Sequence, residues 1–107
     1  MPEPTRISQL GRWQVHRYGE LDSTNRHLLA AAATGAAEGL VVVADHQTAG
    51  RGRLDRRWEA PPGSSMLVSV LLRRPQAADA FRVVMAAGVS LAEAVETTAG
   101  VTPGLKW

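Results

Sequence analysis

The 107-residue sequence has no cysteine, one lysine and five aromatic side chains, and each shortage removes a class of function. Without cysteine there is neither a disulfide framework nor a thiolate zinc site, although this says nothing about the compartment. With Lys106 as the only lysine, no Walker phosphate loop G-x-x-x-x-G-K-(S/T) can be matched. His16, His27 and His46 share no ligand spacing with one another or with any carboxylate, so no metal-binding residues are assigned. No nucleophile, base and orienting group form a recognisable set. No apolar run is long enough to span a bilayer, and Met1 to Gly11 lacks the apolar core of a signal peptide. A cytoplasmic protein without a membrane partner is therefore expected.

Charge is present, but it is unevenly placed. The formal net charge of +2 is too small to imply a nucleic-acid partner by itself. Four of the eleven arginines, however, fall within the seven residues Arg51 to Arg57, in the stretch A-D-H-Q-T-A-G-R-G-R-L-D-R-R-W from Ala44 to Trp58. Gly50 and Gly52 flank Arg51, and glycine lets backbone N–H groups approach an anion and permits positive φ. The guanidinium forks of Arg51, Arg53, Arg56 and Arg57 suit phosphate or carboxylate oxygens. The segment from Thr48 to Arg57 therefore reads as a polar, self-repelling loop, mobile without its ligand. A solvated basic loop or an RNA-binding segment would have the same composition, but Trp58 is the only ring nearby and supplies no stacking platform.

Taken in order, residues 1–12 read as a mobile lead-in with two prolines. Trp13, Val15 and Tyr18 follow in the alternation of a half-buried strand. Asp22-Ser23-Thr24-Asn25 precedes the alanine-rich run to Ala33, so a helix is predicted there with Ser23 or Thr24 as N-cap and a stop at Thr34-Gly35. Leu40 to Ala44 is a continuous apolar run rich in β-branched valine, the pattern of a strand covered on both faces, and it delivers the polar group Asp45-His46-Gln47. Met66 to Leu72 reads as a further strand, closed by Arg73-Arg74-Pro75. From Ala78 a helix with one buried face carries Phe81, Val84, Met85, Leu91 and Val95 at three- and four-residue steps, and Gly100 ends it. Leu105-Lys106-Trp107 reads as the start of a strand, so the natural chain is expected to continue. The expected class is α/β (α+β), a mixed sheet with packed helices.

Three stretches, in this order along the chain, resemble biotin protein ligases. Asp22-Ser23-Thr24-Asn25 is similar to the family's D-S-T-N at the start of its first catalytic helix. Gln47-Thr48-Ala49-Gly50-Arg51-Gly52-Arg53, with Arg56 and Trp58, is similar to its G-R-G-R-x-x-R-x-W loop. Gly104-Leu105-Lys106-Trp107 is similar to the opening of its K-W-P-N-D segment. Asp55 departs from the pattern, because the family often has glycine there. The resemblance implies that residues 13–107 are the N-terminal part of a class II aminoacyl-tRNA synthetase-like biotin/lipoate ligase catalytic domain, incomplete in this chain.

It also implies an ATP-dependent ligase that adenylates biotin to biotinoyl-5′-AMP and transfers it to a lysine of a biotin carboxyl carrier domain, with Mg²⁺ accompanying ATP. The lead-in is too short for the DNA-binding domain that some members carry, so no DNA partner is expected. Arg51 and Arg53 would be the catalytic residues. Biotin would meet Ser23, Thr24, Asn25 and Gln47 on one side, and Gly50, Arg51, Gly52 and Arg53 on the other. ATP and the adenylate would meet Arg51, Arg53, Arg56, Trp58 and Lys106. The family's catalytic lysine lies in a later segment and is not Lys106. Each residue also has a plainer reading: Ser23 or Thr24 as a helix cap, Gln47 as a strand-end side chain bonded to backbone, and Trp58 as a core tryptophan. A lipoate or octanoate ligase of the same fold and a non-catalytic RNA-binding module remain as alternatives.

Overall fold

The computed structural model describes residues 2–73 and 76–106. It falls into two compact units, Met1–Arg73 and Arg74–Trp107, and each is described by itself. In the first unit the strands β1 (Arg6–Leu10), β2 (Trp13–Leu21) and β3 (Leu40–Gln47) and the helix α1 (Thr24–Ala33) are followed by two short strands, β4 (Gly50–Arg51) and β5 (Arg57–Trp58). Strand β6 (Leu67–Val70) completes it. The main sheet has the order β1-β2-β3-β6. Strands β2 and β3 run parallel, because α1 carries the chain back across the sheet, and the other two pairings are antiparallel.

Alternation along the strands decides what α1 covers. Tyr18 of β2, Val42 and Ala44 of β3 and Leu67 of β6 point to one face and are buried, with Leu21, Leu28 and Leu71 beside them. The opposite face is barer: Val41 and Val43 are half-buried, and Val68 and Val70 are 37% and 44% exposed. The expectation of a strand covered on both faces thus holds on one face only. Burial pushes the Tyr18 phenol above its ordinary value of 10.0. Its hydroxyl lies 2.9 Å from His27 Nε2, so the group is buried with a partner. His16 and His46 likewise sit in side-chain hydrogen bonds, to Gln14 at 3.0 Å and to Glu20 at 2.9 Å.

Helix α1 stops where the sequence predicts, and its end is closed twice. The Gly35 N–H reaches the Ala32 carbonyl at 3.2 Å and the Ala36 N–H reaches Ala31 at 3.0 Å, the paired bonds of a Schellman motif. Arg73 Nη2 then donates to the carbonyls of Ala32 and Ala36 at 3.1 and 2.6 Å, a cation placed on the negative end of the helix.

Two expectations are corrected. Residues 1–12, read as a mobile lead-in, contain strand β1, which pairs with β2 from Arg6↔Arg17 to Leu10↔Trp13. Polar composition misled because this is an edge strand with both faces largely exposed; the available signal was Gly11, which adopts φ 58 as the first of two hairpin residues. In the second unit, helix α2 (Ala80–Ala99) ends at Gly100 as predicted, but no residue of it is buried, and Phe81 is 72% exposed. A single helix cannot cover its own apolar stripe. Leu105 and Lys106 lie outside regular structure, while Arg74, Pro75 and Trp107 fall outside the described residues.

The burial of α1 makes a paired prediction. Leu28 is 6% exposed and Leu29 is 69% exposed. Leu28→Ala should cost about 2–4 kcal/mol, whereas Leu29→Ala should stay within about 0.5 kcal/mol. Equal losses in denaturant melts would mean that α1 lies on the sheet by a different face.

Candidate functional site

Strand β2 and strand β3 end side by side, and the chain leaving each is tied to the other. The Thr48 N–H donates to the Leu21 carbonyl at 2.9 Å and the Ala49 N–H to the Asp22 carbonyl at 2.8 Å. The D-S-T-N stretch and the arginine stretch, some 25 residues apart in sequence, are therefore sutured by backbone.

A helix leaves four N–H groups without intrahelical partners at its start, and here their accounting defines the site. The Ser23 N–H is taken by Asp22 Oδ1 at 2.6 Å, and the Arg26 N–H by Ser23 Oγ at 3.3 Å, which makes Ser23 the N-cap. The Thr24 N–H is taken from outside the helix, by Gln47 Oε1 at 2.7 Å. Among the described residues the Asn25 N–H has no partner. It remains an open donor at the positive end of α1. Because Gln47 spends its carbonyl on Thr24, its amide NH₂ is the end left to donate elsewhere.

Next to this helix start stands Ser69, in the buried phase of β6. Its Oγ lies 2.8 Å from Thr24 Oγ1 and donates to Asn25 Oδ1 at 2.5 Å. Thr24 and Ser69 are 5% and 6% exposed, so this is a buried polar group with its bonds made. The sequence reading missed Ser69 as a site residue. Its signal was a hydroxyl in the inward phase of a strand whose other inward positions are Leu67 and Leu71.

The arginine stretch, expected as a mobile loop, forms a small hairpin. Gly50 pairs with Trp58 and Arg51 with Arg57, and the Gly52 N–H bonds the Arg56 carbonyl at 2.6 Å. A Cβ on Gly50 would lie 2.6 Å from the Trp58 carbonyl and 2.9 Å from Gln47 Nε2, so the hairpin closes only on a residue without a side chain. Positive φ falls elsewhere than expected: not at Gly50 or Gly52 but at Leu54 and Asp55, at 58° and 59°. Asp55 thus holds a conformation that glycine takes freely.

Arg51 and Arg57 face each other across this hairpin, an arrangement that like charges destabilise. The ion pair found among the described residues of the loop is Arg57 with Glu59 at 3.4 Å. An anion between the guanidinium groups would relieve the rest.

Between the start of α1 and the hairpin is a cavity of about 490 Å³. It is lined by Ser23, Thr24, Asn25 and Arg26 of the helix start, by Gln47, Arg51 and Trp58, and by Leu29 with the β6 residues Leu67 and Ser69. Trp58 is 55% exposed, so it is a cavity wall and not a core tryptophan. Gly50 is buried behind this lining. Gly52, Arg53 and Arg56 are exposed and stand outside it, and Lys106 is an exposed residue of the second unit. The lining combines the hydrogen-bonding groups of Ser23, Thr24, Asn25 and Gln47 with two guanidinium groups, that of Arg51 and that of Arg26, the latter 3.4 Å from Asp22, and with the Trp58 indole. Among the described residues no group of three or more His, Asp or Glu side chains could hold a metal ion, and no helix is long and apolar enough to cross a membrane.

Comparison with known proteins points the same way. The profile of the biotin/lipoate A/B protein ligase family matches residues 18–105. A biotin–(acetyl-CoA-carboxylase) ligase of Mycobacterium tuberculosis is 40% identical over 101 residues, 88% of this chain and 38% of the relative. The bifunctional ligase/repressor BirA of Bacillus subtilis is 35% identical over 81% of this chain and 27% of the relative. Its namesake in Escherichia coli is 30% identical over 100% of this chain and 36% of the relative. The chain thus spans less than two-fifths of the length of these relatives.

The contact at Gly50 yields a test of the hairpin. Gly50→Ala should destabilise the protein by about 1–3 kcal/mol through overpacking. Gly52→Ala, whose nearest neighbour would be 3.6 Å away, should be tolerated. If thermal melts place the two variants together, the close approach of Gly50 to Trp58 is wrong.

Proposed function

Because the chain belongs to the biotin/lipoate A/B protein ligase family, we propose that it forms the biotin-binding part of an ATP-dependent biotin protein ligase. The observation that carries this reading is the cavity between the helix start and the Gly50–Arg51 hairpin, whose lining joins the neutral hydrogen-bonding groups of Ser23, Thr24, Asn25 and Gln47 to the Arg51 guanidinium, while the other lining cation, Arg26, is paired with Asp22. Biotin asks for both kinds of partner, with a ureido ring at one end and a carboxylate at the other. The ureido carbonyl is an acceptor for the open Asn25 N–H and the Gln47 amide, and the ureido N–H groups are donors for the Thr24 or Ser23 hydroxyl. Leu29 and Trp58 suit the apolar middle.

In the first step a carboxylate oxygen of biotin attacks the α-phosphorus of ATP. The bond from that phosphorus to the bridging oxygen breaks, and pyrophosphate leaves. In the second step the neutral amine of a carrier-domain lysine attacks the acyl carbon of the mixed anhydride, giving an amide, AMP and a proton. Charge gathers on phosphate oxygens in the first step, so stabilisation is electrostatic and positional. Arg51 is the side chain placed to hold the carboxylate and α-phosphate together, because a planar fork can bond both anions. Arg53 and Arg56 extend the same positive field toward the remaining phosphates. Mg²⁺ would arrive with the triphosphate, whose oxygens are its usual ligands, since the described residues offer no carboxylate cage for it. Trp58 packs against the adenylate and shields it from water.

The test separates the half-reactions in the full-length protein. Wild-type protein should release pyrophosphate from ATP only when biotin is present, and lipoate should not replace biotin. Arg51→Lys should slow that step by about tenfold or more, while transfer from preformed biotinoyl adenylate to the carrier domain should suffer less. Biotin-independent pyrophosphate release, or a variant impaired only in transfer, would overturn the assignment.

A further inference from the structure

Ser69 has one proton and two places to send it, and its neighbours decide which. Asn25 Oδ1, at 2.5 Å, is an oxygen with no proton of its own, so the Ser69 hydroxyl donates there. The 2.8 Å contact between Ser69 and Thr24 must then run the other way, with Thr24 Oγ1 donating to Ser69 Oγ. Two consequences follow at the cavity wall. Thr24 has no proton left for a ligand and can only accept from one. Asn25, its oxygen turned toward Ser69, presents its NH₂ on the other side.

We infer that Ser69 is a positioning residue that sets the hydrogen-bond polarity of the cavity, fixing an acceptor at Thr24 and donors at Asn25 for a cyclic urea. The inference rests on the biotin reading above and names how that site chooses its ligand. A urea supplies N–H groups for Thr24 and a carbonyl for Asn25. A guanidine in the same ring has an N–H where the urea has its carbonyl, and meets the Asn25 NH₂ donor to donor. Ser69 and Thr24 are 6% and 5% exposed, so the pair that sets this polarity is shut off from water, whereas Asn25 is an exposed side chain whose NH₂ loses its water only when a ligand covers it. The role needs no contact between Ser69 and the ligand, since it acts through the two side chains that it orients.

Calorimetric titration of the full-length protein with biotin and with 2-iminobiotin, its guanidine analogue, tests this. Wild type should prefer biotin. In Ser69→Ala the Thr24 hydroxyl and the Asn25 amide are free to turn, so biotin should weaken by about tenfold and the preference over 2-iminobiotin should narrow by a similar factor. ATP affinity should be unchanged, and Ser69→Thr, which keeps the hydroxyl, should restore the preference. Thr24→Val leaves the Ser69 proton on Asn25; it should weaken both ligands and keep the preference, and it remains informative if Ser69→Ala does not fold. A Ser69→Ala protein with a lower melting temperature and an unchanged preference would reduce Ser69 to a structural residue and overturn the inference, as would a preference that narrows equally in Thr24→Val. Wild type that binds no biotin would instead remove the parent reading, and this one with it.

Discussion

The Thr24 N–H to Gln47 Oε1 hydrogen bond, 2.7 Å long and spanning 23 residues of sequence, is the contact around which the site is built. It does two things at once. At the helix it satisfies one of the donors that a chain turning into α1 must leave open, as a capping side chain would, but from another strand. At the strand it fixes the orientation of the Gln47 amide, whose Nε2 then lies over Gly50 and sets how closely the arginine hairpin can approach. Helix start, strand end and hairpin are thereby registered to one another before any ligand arrives. Such preorganisation is what a positional and electrostatic catalyst requires.

The hairpin shows how conformational difficulty is shared out. Gly50 is needed for close approach and has ordinary φ, whereas the left-handed turn is made by Leu54 and Asp55. Non-glycine residues in that region carry strain. Opposed arginines add electrostatic strain on the same element. Both bear on a segment whose side chains are exposed from Arg51 to Trp58.

How much of this was legible in the sequence depended on range. Local signals were read well: Ser23 as a cap, the stop at Thr34-Gly35, the β-branched run of β3 and the end of α2 at Gly100 all depend on neighbours within a turn. The ligase resemblance brought Ser23, Thr24, Asn25, Gln47 and Arg51 onto one list, and the fold gathers them around one cavity. What was missed depends on long-range partners. Nothing near Gln47 says that its carbonyl is committed to Thr24, and nothing near Ser69 says that Thr24, 45 residues away, will be its hydrogen-bond partner. Strand β1 escaped because an edge strand exposed on both faces has the composition of a loop. Of the readings of Gln47, the plain one holds, since its oxygen is bonded to the backbone N–H of Thr24, and among the described residues its nitrogen has no partner.

Amide hydrogen exchange at Thr24 tests the central contact most directly. An N–H in the first turn of a helix has no intrahelical partner and should exchange quickly unless something else holds it. The account predicts that the Thr24 amide is protected in the wild-type protein and exchanges about tenfold faster or more in Gln47→Leu, while core amides of β3 such as Val42 keep their protection. An unprotected Thr24 in the wild type, or equal protection in the two proteins, would contradict it.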